Sequence, residues 1–165
     1  MGKQMDKLEY FLNNDADTIA LGRAISEVCP LDITIYLIGT LGAGKTTTTR
    51  GFVCARGFDG VVKSPTYTLV EQYKFDSYSI YHFDLYRLNE PEELEMMGIR
   101  DYFSSDSIRI VEWPQNGEGY LPSCDLSIEL LYQGVKRSAC ISSNSDKGAK
   151  IMQALSLNRE LKVLI

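Results

Sequence analysis

The sequence is poor in several groups on which protein chemistry often runs. It has one histidine, His82, and four cysteines, Cys29, Cys54, Cys124 and Cys140, which stand far apart and form no C-x-x-C pair. A Cys/His zinc site has almost no ligands to draw on, and with no secretion signal the thiols are expected to be reduced. Long apolar runs are missing too. The longest, Ile33 to Ile38, is interrupted by Thr34 and falls far short of the roughly 18 residues a membrane helix needs. Residues Met1 to Asp6 lack the apolar block of a signal peptide, and Asp6 stands where a myristoylation signal wants Ser or Thr. Basic charge is also scarce: 17 Lys and Arg against 22 Asp and Glu leave a net charge of −5. That balance argues against a standing polybasic face for DNA or an anionic membrane. The expectation is a soluble cytoplasmic protein.

What is present can build a core. Hydrophobic residues make up 44% of the 165 and charged residues 24%, the composition and size of one ordinary globular domain spanning 1–165. Lys7 to Leu12 has the pattern of a short strand. Asn13-Asn14-Asp15 offers a helix cap before Ile19, Leu21, Ile25 and Val28 at near-helical spacing, and Cys29-Pro30 stops that helix. Ile33 to Ile38 is β-branched and too short for a helix, which suits a strand buried on both faces. A helix is expected from Lys45 to about Arg56. Strands from Thr68 to Phe75, with Leu69, Tyr73 and Phe75 on one face, and from Tyr78 to Asp84 flank a tight turn, which forces an antiparallel hairpin. Asn89, Pro91 and Glu92 open a short acidic helix that Gly98 can close. Ile108 to Trp113 is a further central strand ended by Pro114. A second hairpin runs from Leu126 to Tyr132 and Val135 to Ile141, and a last helix from about Asp146 to Leu157. Together these predict an α/β fold: one P-loop NTPase-like domain with a mixed parallel and antiparallel central sheet flanked by helices.

One segment carries specific chemistry. Gly39-Thr40-Leu41-Gly42-Ala43-Gly44-Lys45-Thr46 satisfies G-x-x-x-x-G-K-[ST] at every fixed position. Glycines let successive backbone N–H groups curl around phosphate oxygens, and the following helix points its positive end at them. Lys45 supplies a point charge for the β- and γ-phosphates, the Thr46 hydroxyl can ligate Mg²⁺, and Thr47 is placed for the α-phosphate. A chance match in a chain this long is on the order of one in a hundred, and this one follows a strand and precedes a helix as the mechanism requires. A nucleoside triphosphate is the expected ligand.

Hydrolysis needs an acid for Mg²⁺ and a group to orient water. Two carboxylates end apolar strands, Asp84 after Ile80-Tyr81-His82-Phe83 and Glu112 after Ile108-Arg109-Ile110-Val111, and such ends line the ligand crevice of an α/β sheet. Asp84 is assigned to the metal through its water shell and Glu112 to the attacking water, with Glu112 also within the metal's reach; the two roles could be exchanged. Thr66, in Ser64-Pro65-Thr66-Tyr67-Thr68, resembles a nucleotide-sensing switch threonine. His82 shares a strand face with Asp84 and reads either as packing or as a neighbour of the phosphates. Trp113 either stacks on a base or partner, or packs.

Four blocks in order, G-T-L-G-A-G-K-T-T at 39–47, S-P-T-Y-T at 64–68, H-F-D-L-Y-R at 82–87 and E-W-P at 112–114, closely resemble the bacterial TsaE (YjeE) family. The likeness runs from the first helix, with Thr18-x-x-x-Gly22, to about Pro114. It implies a slow ATPase that binds ATP or ADP with Mg²⁺ and acts with the TsaB–TsaD heterodimer, which makes N6-threonylcarbamoyladenosine at position 37 of tRNA; tRNA is met indirectly through that complex. Carried over by the resemblance are Lys45 and Thr46 at the phosphates and metal, Asp84 as the acid of the second motif, Glu112 and Trp113 in turnover, Thr66 as the switch, and Thr18 near the nucleotide. One departure stands out: Thr40 occupies a position where the family usually has Asp.

Two rivals share the loop. A small-molecule kinase needs an arginine-bearing lid, yet residues 85–107 offer only Arg87 and Arg100 amid Glu90, Glu92, Glu93 and Glu95. A nucleotide-gated binding module would bind without turning over. A GTPase is disfavoured because Asn144-Ser145-Asp146-Lys147 does not match the guanine signature.

Overall fold

A computed structural model describes residues 7–65 and 68–161. In chain order the elements are β1 (Lys7–Leu12), α1 (Asp15–Val28), β2 (Ile33–Ile38), α2 (Lys45–Ala55), β3 (Val70–Lys74), β4 (Ser79–Asp84), α3 (Glu93–Met96), β5 (Ser107–Glu112), β6 (Leu126–Gln133), β7 (Lys136–Ser143) and α4 (Asp146–Leu155), with 3₁₀ turns at Ile99–Tyr102 and Pro114–Gly117. Seven strands form one sheet in the order β1-β7-β6-β2-β5-β4-β3. Its centre is parallel, β2 lying between β5 and β6 with β4 beyond β5; the β3–β4 hairpin closes one edge, and the β6–β7 hairpin with β1 antiparallel against β7 closes the other. Among the described residues no helix is long and apolar enough to cross a membrane.

Alternation along the strands sorts side chains into two clusters. Ile33, Ile35 and Leu37 of β2, with Ile80, Ile108, Ile110, Ile128 and Ile141 from its neighbours, meet Leu21 and Ile25 of α1, Phe52 and Val53 of α2, and Ile151, Met152 and Leu155 of α4. Phe83 and Val111 point to the opposite side and pack with Leu85, Leu94 and Ile99. Fully burying a side chain of this size contributes about 1.5–3 kcal/mol, so the larger cluster fixes α1 and α2 over the middle of the sheet.

Four expectations shift. Leu69 takes a left-handed backbone, φ 63°, which breaks the alternation, so it packs in the second cluster while Tyr73 joins the first. Trp113 lies outside the strand: β5 ends at Glu112 and Trp113 turns at φ 56°. The outer part of β2 is only half-buried at Tyr36 and Ile38, which border an open groove lined by Pro114, Gln115 and Leu121. The acidic helix is a single turn that begins after Glu92 rather than at Asn89.

Helix ends differ in a way that bears on function. Asn14 caps α1 by accepting the Asp17 N–H at 2.9 Å, and Ser145 caps α4 by accepting the Gly148 N–H at 3.0 Å, each worth about 1 kcal/mol. α2 starts on Gly44 with no side-chain cap and no acidic residue in its first turn. Its leading N–H groups are left for something else.

Candidate functional site

The loop between β2 and α2 turns on two glycines in left-handed conformation, Gly42 at φ 79° and Gly44 at φ 105°, where a Cβ would be strained. Their shape aims the uncapped end of α2 into a cleft of about 250 Å³. Lys45 lies across the loop, its Nζ donating to the Gly39 carbonyl at 2.5 Å and the Thr40 carbonyl at 3.1 Å. An ammonium has three donors, so this arrangement closes the loop with two and leaves one for an anion. Burial pushes the Lys45 pKa down, while Glu112 and Asp84 nearby pull it back up. Within the run of four threonines, Thr48 and Thr49 donate to the Gly44 and Lys45 carbonyls. Thr46 and Thr47 line the cleft.

The two strand-end carboxylates face each other on one rung of neighbouring strands. Asp84 of β4 pairs with Glu112 of β5, and Glu112 with Leu37 of β2, so all three share one row at the end of the sheet from which the loop departs. Both acids line the cleft. Burial first, then the Glu112 charge, raises the Asp84 pKa above its usual value; the Tyr86 N–H, donating at 3.1 Å, opposes this. Ser64 also donates to Asp84, at 3.4 Å. Glu112 is 3% exposed and holds His82 Nε2 at 2.5 Å. The ring of Trp113 lies 4.3 Å from Lys45 Nζ and packs on Tyr86, so it covers the cation and uses its outward turn at the end of β5 to do so.

The structure therefore brings Leu41, Gly42, Gly44, Lys45, Thr46, Thr47, Asp84, Glu112 and Trp113 to one cleft. Gly39 and Ala43 shape the loop behind its wall; Ala43 is buried. Thr18 is placed differently from the other expected residues: it is fully buried, donates to the Asn14 carbonyl, and stands 3.4 Å from where a Cβ on Gly44 would lie. It props the loop from the α1 side. Thr66 lies outside the described residues. Two lining residues went unsuspected, Asp15 and Arg137, which pair at 2.9 Å across the mouth. Nothing local marks Arg137, since the β6–β7 hairpin alone carries it to the loop.

A phosphate chain with Mg²⁺ fits what is present: an uncapped helix end, one spare ammonium donor, a free-standing threonine and a carboxylate pair. Among the described residues no group of three or more His, Cys, Asp or Glu is arranged to hold a metal alone. Magnesium in such sites takes only one or two carboxylates plus phosphate oxygens.

A family model described as "Threonylcarbamoyl adenosine biosynthesis protein TsaE" matches residues 12–139. The chain belongs to the TsaE family. The match covers the loop, both carboxylates and Arg137, and extends past Pro114, where the motif-based likeness ended, through β6 and into β7. Among TsaE relatives, the Haemophilus influenzae tRNA threonylcarbamoyladenosine biosynthesis protein TsaE is 43% identical over 157 residues, covering 92% of this chain and 99% of the relative. The Bacillus subtilis TsaE is 33% identical over 130 residues, 79% and 81% of the two chains. The solved "Crystal structure of Bacillus subtilus YdiB" superposes with a TM-score of 0.79 at 25% identity, covering 94% of this chain and 97% of that one. The overall α/β fold is thus shared with an experimentally determined structure.

Proposed function

We propose that this chain is a cytoplasmic ATPase of tRNA threonylcarbamoyladenosine biosynthesis, weak alone and coupled to the TsaB–TsaD heterodimer. The observation that carries the reading is the convergence, in one cleft, of an uncapped helix end, Lys45, and the Asp84–Glu112 row. In this reading the N–H groups of the loop and of the first turn of α2 bind the phosphates, and Lys45 turns its spare donor to the β- and γ-oxygens. Thr46 and Asp84, with Glu112 in reach, would hold Mg²⁺, which would supply charge neutralisation at the phosphates. Glu112 orients the attacking water and accepts its proton. Thr66 is kept as the switch threonine, and Trp113 shields the Lys45 charge from bulk water, which strengthens its pull on phosphate.

Net charge supports an indirect encounter with tRNA. Phosphate-backbone contacts come from clustered Lys and Arg, and a chain with charge −5 leaves most of them to its partners. The test is phosphate release from ATP with Mg²⁺, alone and with TsaB–TsaD, for the wild type, Lys45→Ala and Glu112→Gln. Stimulation by the heterodimer that both variants lose is the expected result. Bound ATP with no release in any mixture would refute the ATPase reading.

A further inference from the structure

His82 stands on β4 two residues before Asp84, with its ring fully buried on the side of the sheet that carries Glu112. Its rung partner is Ile110, so it reaches Glu112 on the diagonal, two residues along the neighbouring strand and on the same face. Nε2 lies 2.5 Å from Glu112 Oε2, whereas Nδ1 is buried with no hydrogen-bond partner among the described residues. An ionised carboxylate only accepts. The contact is therefore a hydrogen bond in which Nε2–H donates to Glu112 Oε2, while Nδ1 lies buried on the far side of the ring.

A glutamate needs such a partner. Its terminal torsion is broad and two-fold, so a lone carboxylate at a strand end samples many orientations. A donor in a rigid, fully packed ring fixes one oxygen and leaves the other for the cleft, as the outer partners of metal ligands and catalytic bases do elsewhere. We propose that His82 is a positioning residue: its Nε2–H locks the Glu112 carboxylate in the orientation that aims water, without touching nucleotide or metal itself. This rests on the assignment of Glu112 made above.

The chain's sole histidine makes the test direct. In ¹⁵N-labelled protein at neutral pH, the imidazole gives one pair of nitrogen signals, expected to show a protonated Nε2 and an unprotonated Nδ1 in a single tautomer. Glu112→Ala should abolish that preference. His82→Leu, which keeps bulk but has no donor, should lower kcat at least tenfold while changing ATP affinity less than threefold. His82→Gln, whose amide N–H reaches a similar place, should recover most of that loss. In a Glu112→Gln background, His82→Leu should add little. Thermal unfolding of each variant separates lost turnover from lost fold. A mixed or Nδ1-protonated tautomer, wild-type kcat in His82→Leu, or equal losses in the Leu and Gln variants overturns the proposal while Glu112→Gln remains inactive. If Glu112→Gln hydrolyses like wild type, the assignment of Glu112 falls, and this inference with it.

Discussion

The approach of α1 to α2 gives the sharpest test of how the phosphate loop is held. Gly22 of α1 lies so close to α2 that a Cβ there would meet the Thr48 carbonyl oxygen at 2.1 Å and the Phe52 nitrogen at 2.9 Å, where ordinary contact begins near 3.4 Å. Gly51 answers from the other helix, its Cβ position 2.3 Å from the Ile19 oxygen. Backbone cannot swing aside as a flexible side chain can, so Gly22→Ala must push the helices apart by more than an ångström. Overpacking of this kind costs about 1–3 kcal/mol, and clashes with backbone belong at the upper end. Better helix propensity returns about 0.8–1 kcal/mol. The net loss is about 1–2 kcal/mol, and at this chain length each kcal/mol lowers Tm by about 2–4 °C. Thr48 is in the first turn of α2, so the displacement also reaches Lys45 and the loop. A misplacement of that size at a reacting centre can cost about a hundredfold in rate, and a drop of at least tenfold in ATP turnover is expected in protein that remains folded. Urea unfolding and phosphate release measure the two effects. A variant at least as stable as wild type, with unchanged turnover, would refute the close crossing and its role in placing the loop.

Other outcomes follow from the same geometry. Asp84→Asn should stabilise the free protein at neutral pH by about 0.5–2 kcal/mol. Burial and Glu112 raise the folded pKa of Asp84, so its ionised form carries a cost that is full above that pKa and fades as pH falls through it; the gap in Tm between variant and wild type should therefore close on acidification. Trp113 is the sole tryptophan and lies against Lys45 Nζ, so Mg²⁺ with ATP should change its emission, and a titration with no change would place the lysine elsewhere on binding. Arg109 is buried at the far end of β5, where it donates to Thr34, Ser104, Ser107 and Asp32. Arg109→Met should cost about 2–3 kcal/mol by denaturant titration yet leave ATP affinity unchanged, because the cleft is at the opposite end of the sheet.

Much of this architecture was legible because its signals are local. Cap, periodicity and stop mark α1 within 15 or so residues; β-branched runs mark β2 and β5; turn residues mark both hairpins. The phosphate loop was legible for the same reason, since its glycines, lysine and threonine act within one turn of backbone. Leu69 was misjudged because a left-handed residue flips the face of the chain without any glycine to announce it, and Trp113 for the same reason at the end of β5. Arg137 and Asp15 left no trace in sequence, because residues 122 apart meet only when β7 closes against β1.

The amino-acid sequence by itself determined the class of fold, the family and the loop that offers itself to phosphate, all properties written in short-range spacing. Strand order decided the rest. Because β5 inserts between β2 and β4, Glu112 lands beside Asp84 and within reach of His82, and because two glycines let α1 and α2 touch, the loop is backed by Thr18 rather than by solvent. Such pairings depend on which strands become neighbours, a choice made by burial summed over the whole sheet, which no local window of sequence contains.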